Sequence, residues 1–221
     1  MGANLDRFRS NGIDRAGAFS DGVFAIALTL LVLNFKLPDL HGSTAATDSA
    51  LWRAIRDQSG TFVSYALSVF VIGRYWLVHH RMFRLFRRTD ALLLELNVVA
   101  LALVAFLPYP TALLGNYGDT RTATVLYAAT VTAVGSLHAA IWWHADRAGL
   151  LEEEVSDVYR RHSAVRGIAM PAIFVCSIPV AFVDVTVAQL MWVSSVFIRF
   201  AFRSRYGSIS DPYDEATPAA D

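Results

Sequence analysis

The chain has 221 residues, of which 55% are hydrophobic and 17% are charged, and its formal net charge is zero. Soluble domains carry roughly a quarter charged residues, and here the charges fall in short stretches between long apolar runs. The apolar runs leave no room for a separate soluble domain, and the balanced charge gives no indication of nucleic-acid binding.

Six apolar segments follow one another along the chain, and they determine the predicted fold. A transmembrane helix needs roughly 20 mostly apolar residues, and strands with unpaired edges are not tolerated in lipid. We therefore predict an all-α membrane protein with six transmembrane helices within a domain of residues 1–207. The segments are residues 16–37, 61–78, 91–114, 122–143, 165–183 and 185–202.

Two sequence features modify this simple series of helices. The run Pro108-Tyr109-Pro110 lies inside the third segment and predicts a kink or an early end there, because proline cannot continue the hydrogen-bond ladder of a helix. Residues 208–221 form a polar tail with two prolines and several acids. We expect this tail to be disordered, because it has too little apolar surface to fold.

The distribution of basic residues predicts the orientation. With the N-terminus inside, 14 arginines fall on the inner segments, whereas four basic residues fall on the outer ones. Cytoplasmic loops carry an excess of Lys and Arg, so both the N-terminus and the C-terminus are predicted to be cytoplasmic. The single lysine, Lys36, among 19 basic residues is typical of a GC-rich bacterial genome.

Polar residues inside the predicted helices form a second pattern. Given the predicted topology, they lie at similar depth near the cytoplasmic surface. Placing polar residues in lipid costs free energy, so each needs a partner or a function. We therefore expect one polar layer in which Asp21 pairs with Arg74 or a histidine. The layer either holds the helices together or conducts protons. Its members are Ser20, Asp21, Arg74, His79, His80, Glu95 and Asn97.

The first helix has an apolar stripe along one face. If Ile26 is set at zero, Leu30 falls at about 40° and Leu33 at about 340°, whereas Asp21 falls at about 220°. Thr29 flanks the stripe, and its hydroxyl could bond to a carbonyl of its own helix. Periodicity alone indicates ordinary helix packing for the stripe, not a pore. The stripe comprises Phe19, Val23, Ile26, Leu30 and Leu33.

Three motifs give the chain a resemblance to a known family. Residues 15–21 read R-A-G-A-F-S-D, residues 75–83 contain His79-His80, and Asn97 is followed by F-L-P-Y-P-T at residues 106–111. In this order, the motifs resemble the first three helices of the transmembrane protein 175 family. Members of that family are potassium channels of animal lysosomes and many prokaryotes.

The resemblance implies an unconventional homotetrameric cation channel whose first helices line the pore. In this family, large apolar side chains form the constriction in place of the T-V-G-Y-G filter, which this sequence lacks. The resemblance places Ile26 at the narrowest ring, with Leu30 and Leu33 further out and Thr29 adjacent. It also implies an interhelical polar network on the opposite face, for which the choice between the two adjacent histidines stays open. We assign to this network Arg15, Phe19, Ser20, Asp21, Arg74, His79, His80 and Asn97.

The expected function is that of a potassium-permeable channel with modest selectivity for K⁺ over Na⁺ in a bacterial cell (inner) membrane. The alternative is a proton-permeable or proton-coupled transporter that uses the polar layer. We expect no enzymatic activity, because the histidines are too scattered for a catalytic set. No metal site and no cofactor are expected, and the expected partners are other copies of the chain, the lipid bilayer, K⁺ and other monovalent cations.

Overall fold

The computed structural model describes residues 2–37 and 48–194, with side chains described from Gly12 onward. Within these residues the regular elements are helices. A 3₁₀ turn, Leu31–Asn34, follows α1, and the described part of a last helix, α8, is Val185–Ser194. The preceding helices are α1 (Gly2–Leu30), α2 (Asp48–Asp57), α3 (Ser59–Arg84), α4 (Ala91–Phe106), α5 (Pro108–Tyr117), α6 (Arg121–Arg147) and α7 (Asp157–Val180).

Five spans in the described residues are long and apolar enough to cross a membrane, so the chain is a multi-pass membrane protein. They are Gly12–Asn34, Ser59–Arg84, Ala91–Tyr117, Arg121–Arg147 and Asp157–Val180. These spans correspond to the first five predicted segments. The sixth segment begins as α8, but its residues 195–202 lie outside the described residues, as do the predicted tail and the C-terminus.

The prolines divide the third span as the sequence predicted. Helix α4 ends at Phe106 and α5 begins at Pro108. Proline is tolerated at the first position of a helix because the N–H of that residue would have no acceptor within the helix. A buried hydroxyl cluster fixes α5 against its neighbours. Thr111 Oγ1 lies 2.8 Å from Ser68 Oγ of α3, which lies 3.0 Å from the hydroxyl of Tyr127 on α6.

Helix α2 was not predicted, because the sequence was searched for apolar runs long enough to span lipid. Its ten residues include none that are buried, and Trp52 is 60% exposed. At roughly 1.5 Å per residue, the helix is too short to cross the membrane. It lies in the connection between the first two spans, which the sequence analysis treated as an outer loop.

Hydrogen bonds hold the α3–α4 and α6–α7 connections together, and with them the ends of these helices. The Arg87 amide donates to the Leu150 carbonyl at 2.8 Å, which joins the α3–α4 and α6–α7 connections. Asp90 caps α4 by accepting from the Leu93 amide, and it also pairs with the ring of His144 on α6. Burial opposes ionisation of Asp90, but these hydrogen bonds outweigh it and hold the pKa of the carboxyl below its usual value.

Candidate pore-lining helix and its polar anchor

One face of the first span is buried in the helix bundle. Ser20, Phe24, Ala27 and Leu31 are each at most 1% exposed. Their spacing of four, three and four residues places them on a single face of a helix. This face packs against α3 and α4, so the bundle determines how the first span is rotated.

A different face carries the predicted apolar stripe, and it points away from the bundle. Phe19 is 60% exposed, Ile26 is 59% exposed and Leu33 is 73% exposed. Leu30 is also exposed, and Val23 is half-buried. Taking Ile26 as zero, the buried residues fall at about 100–160° and the stripe at about 340–60°. The two apolar sets therefore lie on different faces of one helix, with centres about 110° apart.

Thr29 lies beside the stripe and is exposed. Its hydroxyl donates to the Ile26 carbonyl at 2.8 Å. This is the hydrogen bond to its own helix that the sequence analysis considered. Because the hydroxyl hydrogen is used within the helix, the Thr29 oxygen can act only as an acceptor toward other groups.

A buried chain of side-chain hydrogen bonds links the first three spans. His79 Nε2 lies 2.9 Å from Asn97 Oδ1, and Asn97 Nδ2 donates to Ser20 Oγ at 3.1 Å. Ser20 in turn donates to the Ala16 carbonyl at 2.8 Å. Because the Asn97 oxygen can only accept, His79 Nε2 is the nitrogen that carries the proton. All three linked side chains are at most 2% exposed, so they form an anchor inside the bundle.

The structure distinguishes the two adjacent histidines. His79 is the one that contacts Asn97, whereas His80 is exposed and its ring lies 5.6 Å from that of Trp76. Trp76 also donates from Nε1 to Asp21 Oδ1 at 2.8 Å. The hydrogen bond described for Asp21 therefore comes from Trp76, a residue that the sequence analysis did not assign to the network.

The remaining predicted network residues lie outside the buried anchor. Arg15 is exposed, and Phe19 lies on the exposed stripe rather than among the polar groups. Arg74 is half-buried on α3 and lines a cavity between α3, α6 and α7. Of the predicted network, the structure thus brings together Ser20, His79 and Asn97.

Two aromatic residues near the anchor were missed. Phe24 lies four residues after Ser20, and its ring is 5.5 Å from that of His79. His138 on α6 is 5.7 Å from His79, and it stacks on Tyr75 at 5.4 Å. Helical spacing from Ser20 could have identified Phe24. No sequence motif connects His138 to the first three spans, so that contact depends on the tertiary fold.

Comparisons with known proteins identify relatives of this chain. The sequence profile of the family described as endosomal/lysosomal potassium channel TMEM175 matches residues 15–108. A protein named as a potassium channel of Streptomyces collinus is 39% identical over 145 residues, which cover 64% of this chain and 68% of the relative. A chicken protein named as an endosomal/lysosomal proton channel is 31% identical over 109 residues, which cover 48% of this chain and 22% of that much longer protein.

The fold of a solved relative agrees with these sequence matches. The crystal structure of a TMEM175 homologue from Chamaesiphon minutus, described as a lysosomal potassium-selective channel homologue, superposes with a TM-score of 0.71. The two chains are 30% identical, and the match covers 88% of this chain and 98% of the other. The exposed stripe and the buried anchor both lie within the residues that match the family profile. The chain belongs to the TMEM175 family.

Proposed function

We propose that the chain forms a potassium-permeable cation channel whose pore is lined by the first helix of four identical subunits. In this proposal the chain has six transmembrane helices and cytoplasmic ends, and it resides in a bacterial cell (inner) membrane. Relatives named as potassium channels support the chemistry. The basic residues of the inner connections support the orientation.

The observation that carries the proposal is the outward apolar face of the first span. Phe24 and Leu31 fix a different face in the bundle, and the Ser20–Asn97–His79 chain fixes it further. The span therefore cannot turn Ile26 inward without breaking those contacts. In a closed ring of four subunits, Ile26, Leu30 and Leu33 of each copy would face a common axis.

The apolar lining explains how such a pore would work. A narrow apolar ring admits an ion only when the ion sheds part of its water, and it closes by dewetting. K⁺ holds its water less tightly than Na⁺, so the ring at Ile26 favours K⁺. No carbonyl cage replaces the lost water, and the selectivity should therefore be modest.

A flux assay with purified protein in liposomes tests the proposed activity. Liposomes loaded with K⁺ should lose it passively, at a rate that does not change when a proton gradient is imposed. Liposomes made without protein are the control for leak. K⁺ movement that requires a proton gradient would contradict the channel and would indicate a coupled transporter.

Disulfide cross-linking tests the proposed arrangement of subunits. The sole cysteine, Cys176, is first replaced by serine, and a cysteine is then placed at Ile26 or at Val32. Ile26 is 59% exposed on the stripe, and Val32 is 54% exposed but lies about 120° away from it. Mild oxidation should link subunits through Ile26→Cys and not through Val32→Cys, and light scattering should give the mass of four chains. Equal cross-linking at both positions would contradict a pore lined by the stripe.

A second candidate function is proton permeation, and the buried anchor favours it. His79 can exchange a proton, and it is connected through Asn97 to Ser20. The chicken relative named as a proton channel supports the same candidate. A pH-sensitive dye inside liposomes separates the two functions. If protons pass by this route, His79→Gln should slow acidification and leave K⁺ flux unchanged.

A further inference from the structure

Helix α2 has one apolar face and one polar face. At about 100° per residue, and with Ile55 set at zero, the apolar residues cover an arc of about 200° and the polar residues an arc of about 100°. Asp48, the first residue of the helix, is the one charge within the apolar arc. The apolar face comprises Ala50, Leu51, Trp52, Ala54 and Ile55, and the polar face comprises Ser49, Arg53, Arg56 and Asp57.

The described residues leave much of the apolar face uncovered. Leu51 is 42% exposed and Trp52 is 60% exposed. Ala50, Ala54 and Ile55 are half-buried. Apolar surface in contact with water costs free energy, and here the exposed part includes the largest side chain of the helix. The face therefore calls for a cover beyond the described residues.

The position of α2 brings it to a membrane boundary. One residue, Gln58, separates it from the membrane span Ser59–Arg84. The Gln58 side chain accepts a hydrogen bond at 3.0 Å from the amide of Lys36, which follows the first span. Phe35 packs on Phe62 near the start of α3, with their ring centroids 4.6 Å apart. The C-terminal end of α2 is therefore held where two membrane spans reach the lipid surface.

The composition of α2 is typical of helices that lie in the plane of a membrane interface. Such helices bury a face containing Trp or Leu by about 5–10 Å at the boundary of headgroups and acyl chains, and they direct Arg or Lys to the headgroups. Tryptophan is enriched at this boundary because its ring is apolar and its N–H is polar. The Arg56 guanidinium lies 5.9 Å from the centre of the Trp52 ring, so the two residue types meet at the border of the two faces.

We propose that α2 is an interfacial helix that lies on the lipid bilayer, with Leu51 and Trp52 among the upper acyl chains and with Arg53 and Arg56 among the headgroups. The charge bias of the connections assigns it to the outer leaflet. A second copy of the chain is the alternative cover for the apolar face. Lipid is favoured, because the C-terminal end of α2 already lies at the lipid surface in a single subunit. The proposal depends on the membrane spans and not on ion conduction.

Spin labels on the two faces of α2, in full-length protein in liposomes, test the proposal. The sole cysteine, Cys176, is first replaced by serine. A nitroxide is then attached to Leu51→Cys or, as the matched control, to Arg53→Cys. Both positions are exposed, and they lie two residues apart along the helix but about 160° apart around it.

The readout compares collisions of each label with two reagents. Oxygen concentrates in lipid, whereas a water-soluble nickel complex, supplied on both sides of the membrane, stays in water. The ratio of oxygen to nickel collisions should be several-fold higher for Leu51→Cys than for Arg53→Cys. The Leu51→Cys label should lie about 5–10 Å below the phosphates.

The fluorescence of Trp52 gives a second measurement that leaves the native apolar face intact. The difference between the unchanged protein and Trp52→Phe isolates the Trp52 signal from that of the other tryptophans. Lipid that is brominated near the top of its acyl chains should quench this signal, and iodide in the surrounding water should leave it nearly unchanged. Quenching by iodide and not by the brominated lipid would contradict the proposal.

Two outcomes of the spin-label experiment would overturn the proposal. Equal collision of both labels with the nickel complex would place α2 in water. A Leu51→Cys label that collides with neither reagent would mean that protein covers the face. Spin–spin broadening would then identify a second copy as the cover, and its absence would identify another part of the same chain. A lack of potassium flux would leave these results unaffected, because label accessibility does not depend on conduction.

Discussion

The two faces of the first span are both apolar, yet the bundle uses them differently. Phe24 and Leu31 pack inside the helix bundle, whereas Ile26 and Leu33 project from it. Hydrophobicity alone does not distinguish these faces, because lipid accepts either one. The polar residue Ser20 does distinguish them, since its hydrogen bond to Asn97 requires the interior. A few polar contacts therefore determine which apolar face remains outside the helix bundle.

The largest expected effect is the difference in stability between the same truncation, leucine to alanine, made on each of the two faces. Leu31→Ala should lower the free energy of unfolding of the isolated subunit by about 2–5 kcal/mol, because it leaves a cavity in a packed core. Leu33→Ala should change it by about 0.5 kcal/mol or less, as for exposed substitutions generally. Thermal unfolding in detergent, under conditions that give monomers, measures both. Similar losses in the two variants would mean that the faces are not distinguished as described.

A smaller effect is expected from removing the polar anchor. Asn97→Leu preserves the side-chain volume but leaves His79 Nε2 and Ser20 Oγ without the partner they share. Leaving these buried polar groups without a partner should lower the free energy of unfolding by about 1–3 kcal/mol. The loss is measured as a lower thermal midpoint. His80→Gln is the matched control because His80 is exposed, and it should unfold like the unchanged protein. A stable Asn97→Leu protein would show that the anchor contributes nothing to holding the first span.

The smallest effect is expected at the Trp76–Asp21 contact. Trp76→Phe removes the indole N–H that Asp21 accepts, and Asp21→Ala removes the acceptor. Each change should cost about 1 kcal/mol or less at this exposed position. The double variant should cost less than the sum of the two single changes, which a double-mutant cycle on thermal stability detects. Strict additivity would mean that the two side chains are not coupled.

The main helices could be predicted from the sequence because length and hydrophobicity suffice for membrane spans. The break at Pro108 followed from the chemistry of proline. Helical periodicity identified the stripe but indicated ordinary helix packing for it, so its exposure could not be predicted from periodicity alone. Helix α2 could not be found that way, since its ten residues do not form an apolar run. The partner of Asp21 was also missed, because charge suggested Arg74 or a histidine, and the tryptophan that donates to it is conventionally counted as apolar.

The tertiary contacts around His138 mark a further limit of sequence reasoning. His138 lies more than 50 residues after His79, and no spacing rule connects two helices so far apart in the chain. The fold brings their rings to 5.7 Å. This contact between α3 and α6 therefore could not be derived from any local motif.

Ion selectivity of two matched variants tests the central claim most directly. Ile26 and Val32 are both β-branched, and they are 59% and 54% exposed, but Ile26 alone of the two lies on the stripe. Reversal potentials are measured across bilayers with K⁺ on one side and Na⁺ on the other. Ile26→Ser should wet the ring and reduce the preference for K⁺ several-fold, whereas Val32→Ser should leave it unchanged. An unchanged reversal potential for Ile26→Ser, or an equal shift for Val32→Ser, would contradict a pore lined by this face of the first helix.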